Sequence, residues 1–325
     1  MPMKEVVDEL ETWTGAGERV ALATVVRTRR SAPRPPGAKM AINERGAVAG
    51  AVSGGCVEGT VAEAALELLR GDGEPRMLHF GIADSEAWDV GLPCGGETRL
   101  GGKLLVREDG STSGGLGDDA LDDPAREACE ELLWAERSEL RELAGAEVFI
   151  DVVAPPPRLL ILGAVEYAAA LCRVARAAGW RPYVCDPRAA FATRERFPEA
   201  EEVVAAWPDE AFERLGIDRV TYIAILTHDP KLDDAALRIA LRSDAAYVGA
   251  MGSRRAQARR RERLLEAGMS EAELDRLAAP IGLDLGATSP EETALSIMGE
   301  AVAVRNGHDG GRLGRAVGRI HEVGA

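Results

Sequence analysis

Two cysteines stand out by the glycines around them. Ser53-Gly54-Gly55-Cys56-Val57-Glu58-Gly59 puts Cys56 after a glycine pair, and Pro93-Cys94-Gly95-Gly96-Glu97 puts Cys94 before one. Glycines let a chain turn successive N–H groups inward as a nest, and a helix that follows adds its positive end. Gly54 and Gly55 therefore predict an anion cradle at a helix start. A cysteine on such a loop is suited to act as a nucleophile or a soft-metal ligand. The competing reading, a small buried hydrophobe, holds for most free cysteines; the flanking glycines favour chemistry. A third loop, Ser31 to Met40, offers Arg34 and Lys39 as cations. The fork of an arginine matches phosphate or carboxylate, while the plainer alternative is a pair of solvated charges.

A second group of polar residues lies further along. Gly163 follows the apolar run Leu159-Leu160-Ile161-Leu162, and Asp186 follows Tyr183-Val184-Cys185, which is 186 − 163 = 23 residues on. In a dinucleotide site the glycine turn meets the pyrophosphate, and an acid about 20 residues later binds the ribose. The loop reads Gly163-Ala164-Val165-Glu166-Tyr167-Ala168, so Val165 replaces the glycine that allows close approach and Glu166 adds a negative charge. Alternatively, Gly163 only turns strand into helix. Thr227-His228-Asp229-Pro230-Lys231 and Gly252-Ser253-Arg254 follow two later apolar runs. Ligands of an open parallel sheet sit beyond the carboxyl ends of its strands. His228, Lys231, Ser253 and Arg254 are thus expected on one edge with Gly163 and Asp186, with His228 as a general acid/base, a ligand or a structural cap.

The elements that must position these residues read as follows. A helix is expected over Met3–Thr14, a strand at Val20–Val26 and a hairpin over Lys39–Ser53 turning at Asn43–Gly46. A helix follows over Val57–Arg70, with strands at Arg76–Phe80 and Thr98–Val106. Asp109–Asp123 is rich in Gly, Ser and Asp and reads as a linker, followed by a helix over Pro124–Leu143 and a strand at Val148–Val153. From Arg158, apolar strands alternate with helices, as a parallel sheet with right-handed crossovers requires. Ser270 with Glu273, and Ser289 with Glu292, predict capping boxes. The expected class is α/β, with a C-terminal Rossmann-type doubly wound parallel sheet and a smaller N-terminal α+β domain. The boundaries are 1–108 for the cysteine-loop domain, 109–157 for linker, helix and connecting strand, 158–305 for the Rossmann-type domain and 306–325 for a flexible tail.

Composition removes several function classes. The 325 residues carry 39 Lys and Arg against 54 Asp and Glu, a net charge of −15. Such a surface repels nucleic acid and anionic membranes, so neither is an expected partner. No run approaches the ~18 apolar residues of a membrane span, and Met1 to Asp8 lacks a signal peptide's pattern; the expected location is the cytoplasm. Five scattered cysteines without a CxxC pair argue against a disulfide framework or a structural zinc.

In order along the chain, RSAPRPPGAKM, SGGCVEG, GLPCGG, PPPRLLILGA, DPR, RFP, LTHDPKLD, YVGAMGSR, PIGLDLGA and SPEETALSI together resemble the XdhC/CoxI family from about Ser31 to about Arg305. The resemblance implies a non-enzymatic accessory protein that binds molybdenum cofactor (molybdopterin) transiently. Such a protein assists the cofactor's sulfuration and its insertion into a xanthine dehydrogenase- or CO dehydrogenase-type molybdenum hydroxylase. It makes Cys56 and Cys94 the candidates for contact with molybdenum or its sulfur. It also implies a hydroxylase apo-enzyme and a cysteine desulfurase as partners, and a homodimer. The family usually has Gly-Ala-Gly-His where this chain has Gly163-Ala164-Val165-Glu166. The alternative reading is an NAD(P)-dependent oxidoreductase or a nucleotide sensor.

Overall fold

The computed structural model describes residues 5–28, 33–71, 76–78, 80 and 103–315. The chain divides into two compact units between Ala154 and Pro155.

The first unit opens with helix α1 (Val7–Gly15), followed by strands β1 (Val20–Thr24), β2 (Lys39–Asn43) and β3 (Val48–Gly50) in one antiparallel sheet. The hairpin turns where its residues allow. Asn43 Oδ1 accepts from the N–H groups of Arg45 and Ala47, at 3.1 and 2.8 Å. The central strand β2 is buried along its whole length. Helix α2 (Glu58–Arg70) lays Val61 and Ala65 against Met40 and Ile42, which gives this sheet its core. Then come β4 (Lys103–Val106), β5 (Thr112–Gly115), α3 (Asp119–Ala135), β6 (Glu139–Leu143) and β7 (Ala146–Ile150), with β4–β5 and β6–β7 as hairpins. Leu132 and Ala128 of α3 pack on Ile150.

Several elements here differ from the sequence expectation. The stretch read as a linker holds β5, whose Thr-Ser-Gly-Gly is mostly exposed and therefore carries no apolar alternation. It also holds the start of α3, where the Asp118 carboxylate accepts from the Ala120 N–H. The helix expected to reach Leu143 ends at Ala135, because Glu136 takes a left-handed φ of 49° and turns the chain back into β6. Residues 76–78 and 80 form no strand, α1 begins at Val7, and residues 98–102 lie outside the described residues.

The second unit contains β8 (Arg158–Leu162), α4 (Glu166–Ala177), β9 (Arg181–Cys185), β10 (Glu202–Val204), α5 (Pro208–Leu215), β11 (Thr221–Ile225), α6 (Pro230–Ala240), β12 (Tyr247–Ala250), α7 (Arg254–Glu266), α8 (Glu271–Leu274), β13 (Leu277–Ala278) and α9 (Pro290–Arg305). Its sheet runs β10-β9-β8-β11-β12-β13, and every pairing is parallel. The chain winds outward from β8 in one direction and then from β11 in the other, so the switch point lies between those two strands. Both faces are covered, which is why β8 reads as an unbroken apolar run. Leu159 and Ile161 enter a core with α4 and α9, while Leu160 and Leu162 enter one with α5 and α6. Both expected capping boxes are present, at Ser270 with Glu273 and at Ser289 with Glu292. The short strands β10 and β13 had no sequence signal, being three and two residues long.

One buried ion pair ties this unit together at the carboxyl edge of the sheet. Arg260 of α7 donates to Asp233 of α6 at 2.6 Å, with only 4% and 2% of the side chains exposed. Thr227, just past β11, donates to the same carboxylate, and Arg260 also reaches the Met251 carbonyl past β12 at 3.2 Å. Removing one partner strands the other charge away from water. Arg260→Met is expected to cost about 3–5 kcal/mol in urea unfolding of this unit, and Asp233→Leu with Arg260→Met should recover most of that loss.

Candidate functional site

The cysteine loop joins β3 to α2. Gly54 and Gly55 take φ of +95° and +122°, a region that side chains disfavour. This turns consecutive N–H groups to one side, as the glycine pair predicted. The nest is filled by the chain itself. Glu58, the first residue of α2, places its carboxylate in it. Its Oε1 accepts from the N–H groups of Val52, Ser53 and Gly54 at 3.2, 2.7 and 2.8 Å. Its Oε2 accepts from the Gly55 and Val57 N–H groups at 2.8 and 3.2 Å and from the Ser53 hydroxyl at 2.7 Å. Burial opposes the charge on Glu58, but the hydrogen bonds from Ser53 and Gly54 outweigh it and hold the carboxyl far below the ordinary carboxylate range. The cradle expected for an outside anion is occupied by an internal one.

Cys56 stands on this loop with its residue exposed to solvent, whereas Cys172 and Cys185 are buried and Cys129 is half-buried. Burial pushes the Cys172 and Cys185 thiols up to about 12, which leaves them as packing groups. Pro33 flanks the loop: its Cβ lies 3.8 Å from where a side chain on Gly54 would begin. Arg34 follows Pro33 and pairs with Glu5. Lys39 departs from the expectation of a loop cation. It lies within β2, 1% exposed, with Nζ 2.5 Å from Asp151 and 3.4 Å from the Thr24 hydroxyl. A lysine buried in a strand needs such a partner, so its charge is spent on structure. Cys94 lies outside the described residues.

In the second unit the expected residues gather on one edge. Gly163 and Asp186 follow β8 and β9, His228 and Lys231 flank the start of α6, and Ser253 and Arg254 open α7. Gly163 has φ +113°, and a Cβ there would lie 2.7 Å from Thr227 Cγ2, so close approach to the end of β11 requires glycine. Asp186 is fully buried. One oxygen accepts from the Ala164 N–H at 2.8 Å and from Arg188 Nη2 at 2.7 Å; the other accepts from the Arg188 N–H and Nε, both at 2.9 Å. A carboxylate offers about four acceptor sites, and all are taken; a ribose hydroxyl would have to displace Arg188. Burial raises the Asp186 pKa, but Arg188 and the two N–H groups bring it below the usual value. Arg196 Nη1 closes the loop from the other side, bonded to the carbonyls of Ala164 and Phe191 at 3.1 and 2.9 Å. With Val165 at the close-approach position as well, these residues do not fit the ribose and pyrophosphate contacts of a dinucleotide. His228, Lys231 and Arg254 are exposed, and Ser253 caps α7 through the Ala256 N–H at 3.2 Å. Among the described residues, no cluster of three or more His, Cys, Asp or Glu is placed to hold a metal, and no helix is long and apolar enough to cross a membrane.

The residues that shape both loops, Glu58, Arg188 and Arg196, were not read as functional from sequence. Glu58 had a signal, since an acid at the start of a helix after Ser-Gly-Gly can reach back to the loop's N–H groups. The pairing of Arg188 with its near neighbour Asp186 was visible only as the tripeptide Asp-Pro-Arg.

A Rossmann-ordered parallel sheet, joined to a small antiparallel unit that presents a cysteine on a glycine turn, defines a two-unit α/β protein with a thiol-bearing accessory unit. Residues 159–301 match the XdhC Rossmann domain and residues 13–81 match the XdhC and CoxI family; the chain belongs to that family. It is 31% identical over 301 residues to the molybdenum cofactor insertion chaperone PaoD of Escherichia coli, spanning 89% of this chain and 85% of that one. It is 26% identical over 317 residues to a probable xanthine dehydrogenase component of Bacillus subtilis, spanning 89% and 94%. A third relative, the uncharacterized YqeB of Escherichia coli, is 28% identical over 294 residues, spanning 90% of this chain and 45% of its own length. A crystal structure described as a xanthine dehydrogenase from Bacillus halodurans shares the fold, with TM-score 0.58 and 21% identity over 95% of this chain and 97% of that chain.

The Glu58 cradle has a pH signature. A carboxyl held below its unfolded value adds stability above that value and loses it as pH falls toward the folded one. Stability of the first unit should therefore drop as pH goes below about 4.5. Glu58→Gln should be less stable at neutral pH and show a shallower acid decline, measured by urea midpoints between pH 7 and pH 3.

Proposed function

We propose that the protein is a maturation factor for a molybdenum hydroxylase. It takes up molybdenum cofactor as transient cargo in the cytoplasm, holds it for sulfuration and delivers it to the apo-enzyme. The observation that carries this reading is the exposed Cys56 on a loop whose backbone is tied down by Glu58. A thiolate is a soft ligand for molybdenum and a carrier for sulfur. The PaoD relationship, over most of both chains, supports the cargo. Cys94, which a glycine pair follows in the sequence, is proposed as the second thiol. A cysteine desulfurase is proposed as the sulfur source, and a homodimer as the working form.

Molybdopterin carried through purification, assayed as its fluorescent oxidation product, tests this. Wild-type protein co-expressed with a molybdenum hydroxylase should carry it, and Cys56→Ala and Cys94→Ala should each carry at least about fivefold less, a loss of about 1 kcal/mol in binding. Equal content in all three would remove the cysteines from the function.

The strand order favours a second reading, nicotinamide nucleotide binding at the switch point. The filled carboxylate of Asp186 counts against it. Fluorescence titration with NADH and NADPH is expected to show no saturation at millimolar cofactor; a saturable curve would restore this reading.

A further inference from the structure

The hydrogen bonds around Cys56 have an order that the cargo reading does not use. The N–H groups of Val52, Ser53, Gly54, Gly55 and Val57 all reach the Glu58 carboxylate directly. That of Cys56 does not. It donates to the Ser53 hydroxyl at 3.0 Å, and this hydroxyl in turn donates to Glu58 Oε2 at 2.7 Å. The Ser53 oxygen also accepts from the Val57 N–H at 3.2 Å, so its one donor and two acceptor sites are all used. Its orientation is therefore fixed by three partners. The peptide bearing the thiol is held by a relay from helix to carboxylate to hydroxyl to Cys56.

Without the carboxylate, two glycines at positive φ would leave this loop free to sample many shapes. With it, the five direct N–H groups and the hydroxyl face inward and the Cys56 residue faces solvent.

We infer that Glu58, acting through Ser53, is the positioning residue of Cys56. It fixes the peptide that carries the thiol and fills the donors of the nest, so cargo meets a thiol here and has its anionic groups bound elsewhere. This inference rests on Cys56 being the cargo-handling thiol.

The experiment uses the full chain co-expressed with a molybdenum hydroxylase. It compares wild type, Cys56→Ala and Glu58→Ala, the last purified in sodium chloride or in sodium formate at equal ionic strength. Molybdopterin content is read beside peptide-resolved amide hydrogen exchange. In Glu58→Ala the amides of 52–57 should exchange at least about tenfold faster while those of α2 keep their protection. Its molybdopterin should fall to the level of Cys56→Ala. Formate, a carboxylate small enough for the vacated nest, should restore both, and chloride neither. A role confined to helix stability would move the α2 amides and would not respond to formate.

Glu58→Ala with wild-type molybdopterin beside a deficient Cys56→Ala would overturn the inference, as would a loss that formate does not reverse. Wild-type content in Cys56→Ala would instead overturn the cargo reading itself, while the exchange data still report on the loop. Should Glu58→Ala also deprotect α2, Ser53→Ala takes its place. It cuts the relay and leaves the carboxylate its backbone donors, and it should lower molybdopterin to the Cys56→Ala level; unchanged content would overturn the inference.

Discussion

Six donors converge on the carboxylate of Glu58, and the shape of the loop that carries Cys56 follows from that convergence. Backbone N–H groups turned to one side need an acceptor, and leaving them without one is costly. A side chain at the start of the following helix supplies it. The same residue sets an acid at the positive end of α2, where the helix dipole favours it. Loop template and counter-charge are thus one group, and Cys56 inherits its place from both.

The second unit solves a related problem with the same chemistry. The turn after β8 presents the Ala164 N–H, and Asp186 from the end of the next strand accepts it. Arg188 then fills the rest of that carboxylate, and Arg196 takes the Ala164 carbonyl. In each unit a glycine turn that looks open to an anion is closed from within. Across the switch point, Asp233 and Arg260 lock the loops after β11 and β12 to one another. At this carboxyl edge of the sheet His228, Lys231 and Arg254 are left exposed beside the loops that this ion pair joins.

Much of this was legible in the sequence where burial is two-sided. Leu159–Leu162 of β8, Tyr183–Cys185 of β9, and strands β11 and β12 announced themselves because a strand covered on both faces is largely apolar, and the capping boxes are local chemistry that needs no tertiary context. The half-exposed first unit was harder. β5 has no apolar face, and β6, with its Glu and Arg residues, read as a continuation of the helix that the left-handed Glu136 ends before β6 begins. For the site, residue type was readable and occupancy was not. Gly54, Gly55 and Gly163 marked real turns. That Glu58 and Asp186 would fill them depends on where side chains point after folding, and the spacing of letters does not encode that directly. Lys39 failed for the opposite reason, since its partner Asp151 lies 112 residues away.

That distance has a consequence for how the protein is made. Lys39 sits in the central strand of the sheet that leads into the cysteine loop, and its buried charge is uncompensated until Asp151 arrives at the far end of the unit. A chain emerging from the ribosome N-terminus first therefore carries an incomplete core through more than a hundred residues of synthesis. Contacts between residues so far apart in sequence are the slow ones to close. The sheet that leads into the cysteine loop therefore has its full set of charge partners only when nearly all of the unit has been translated, so the order in which its parts arrive places completion of that core late in synthesis.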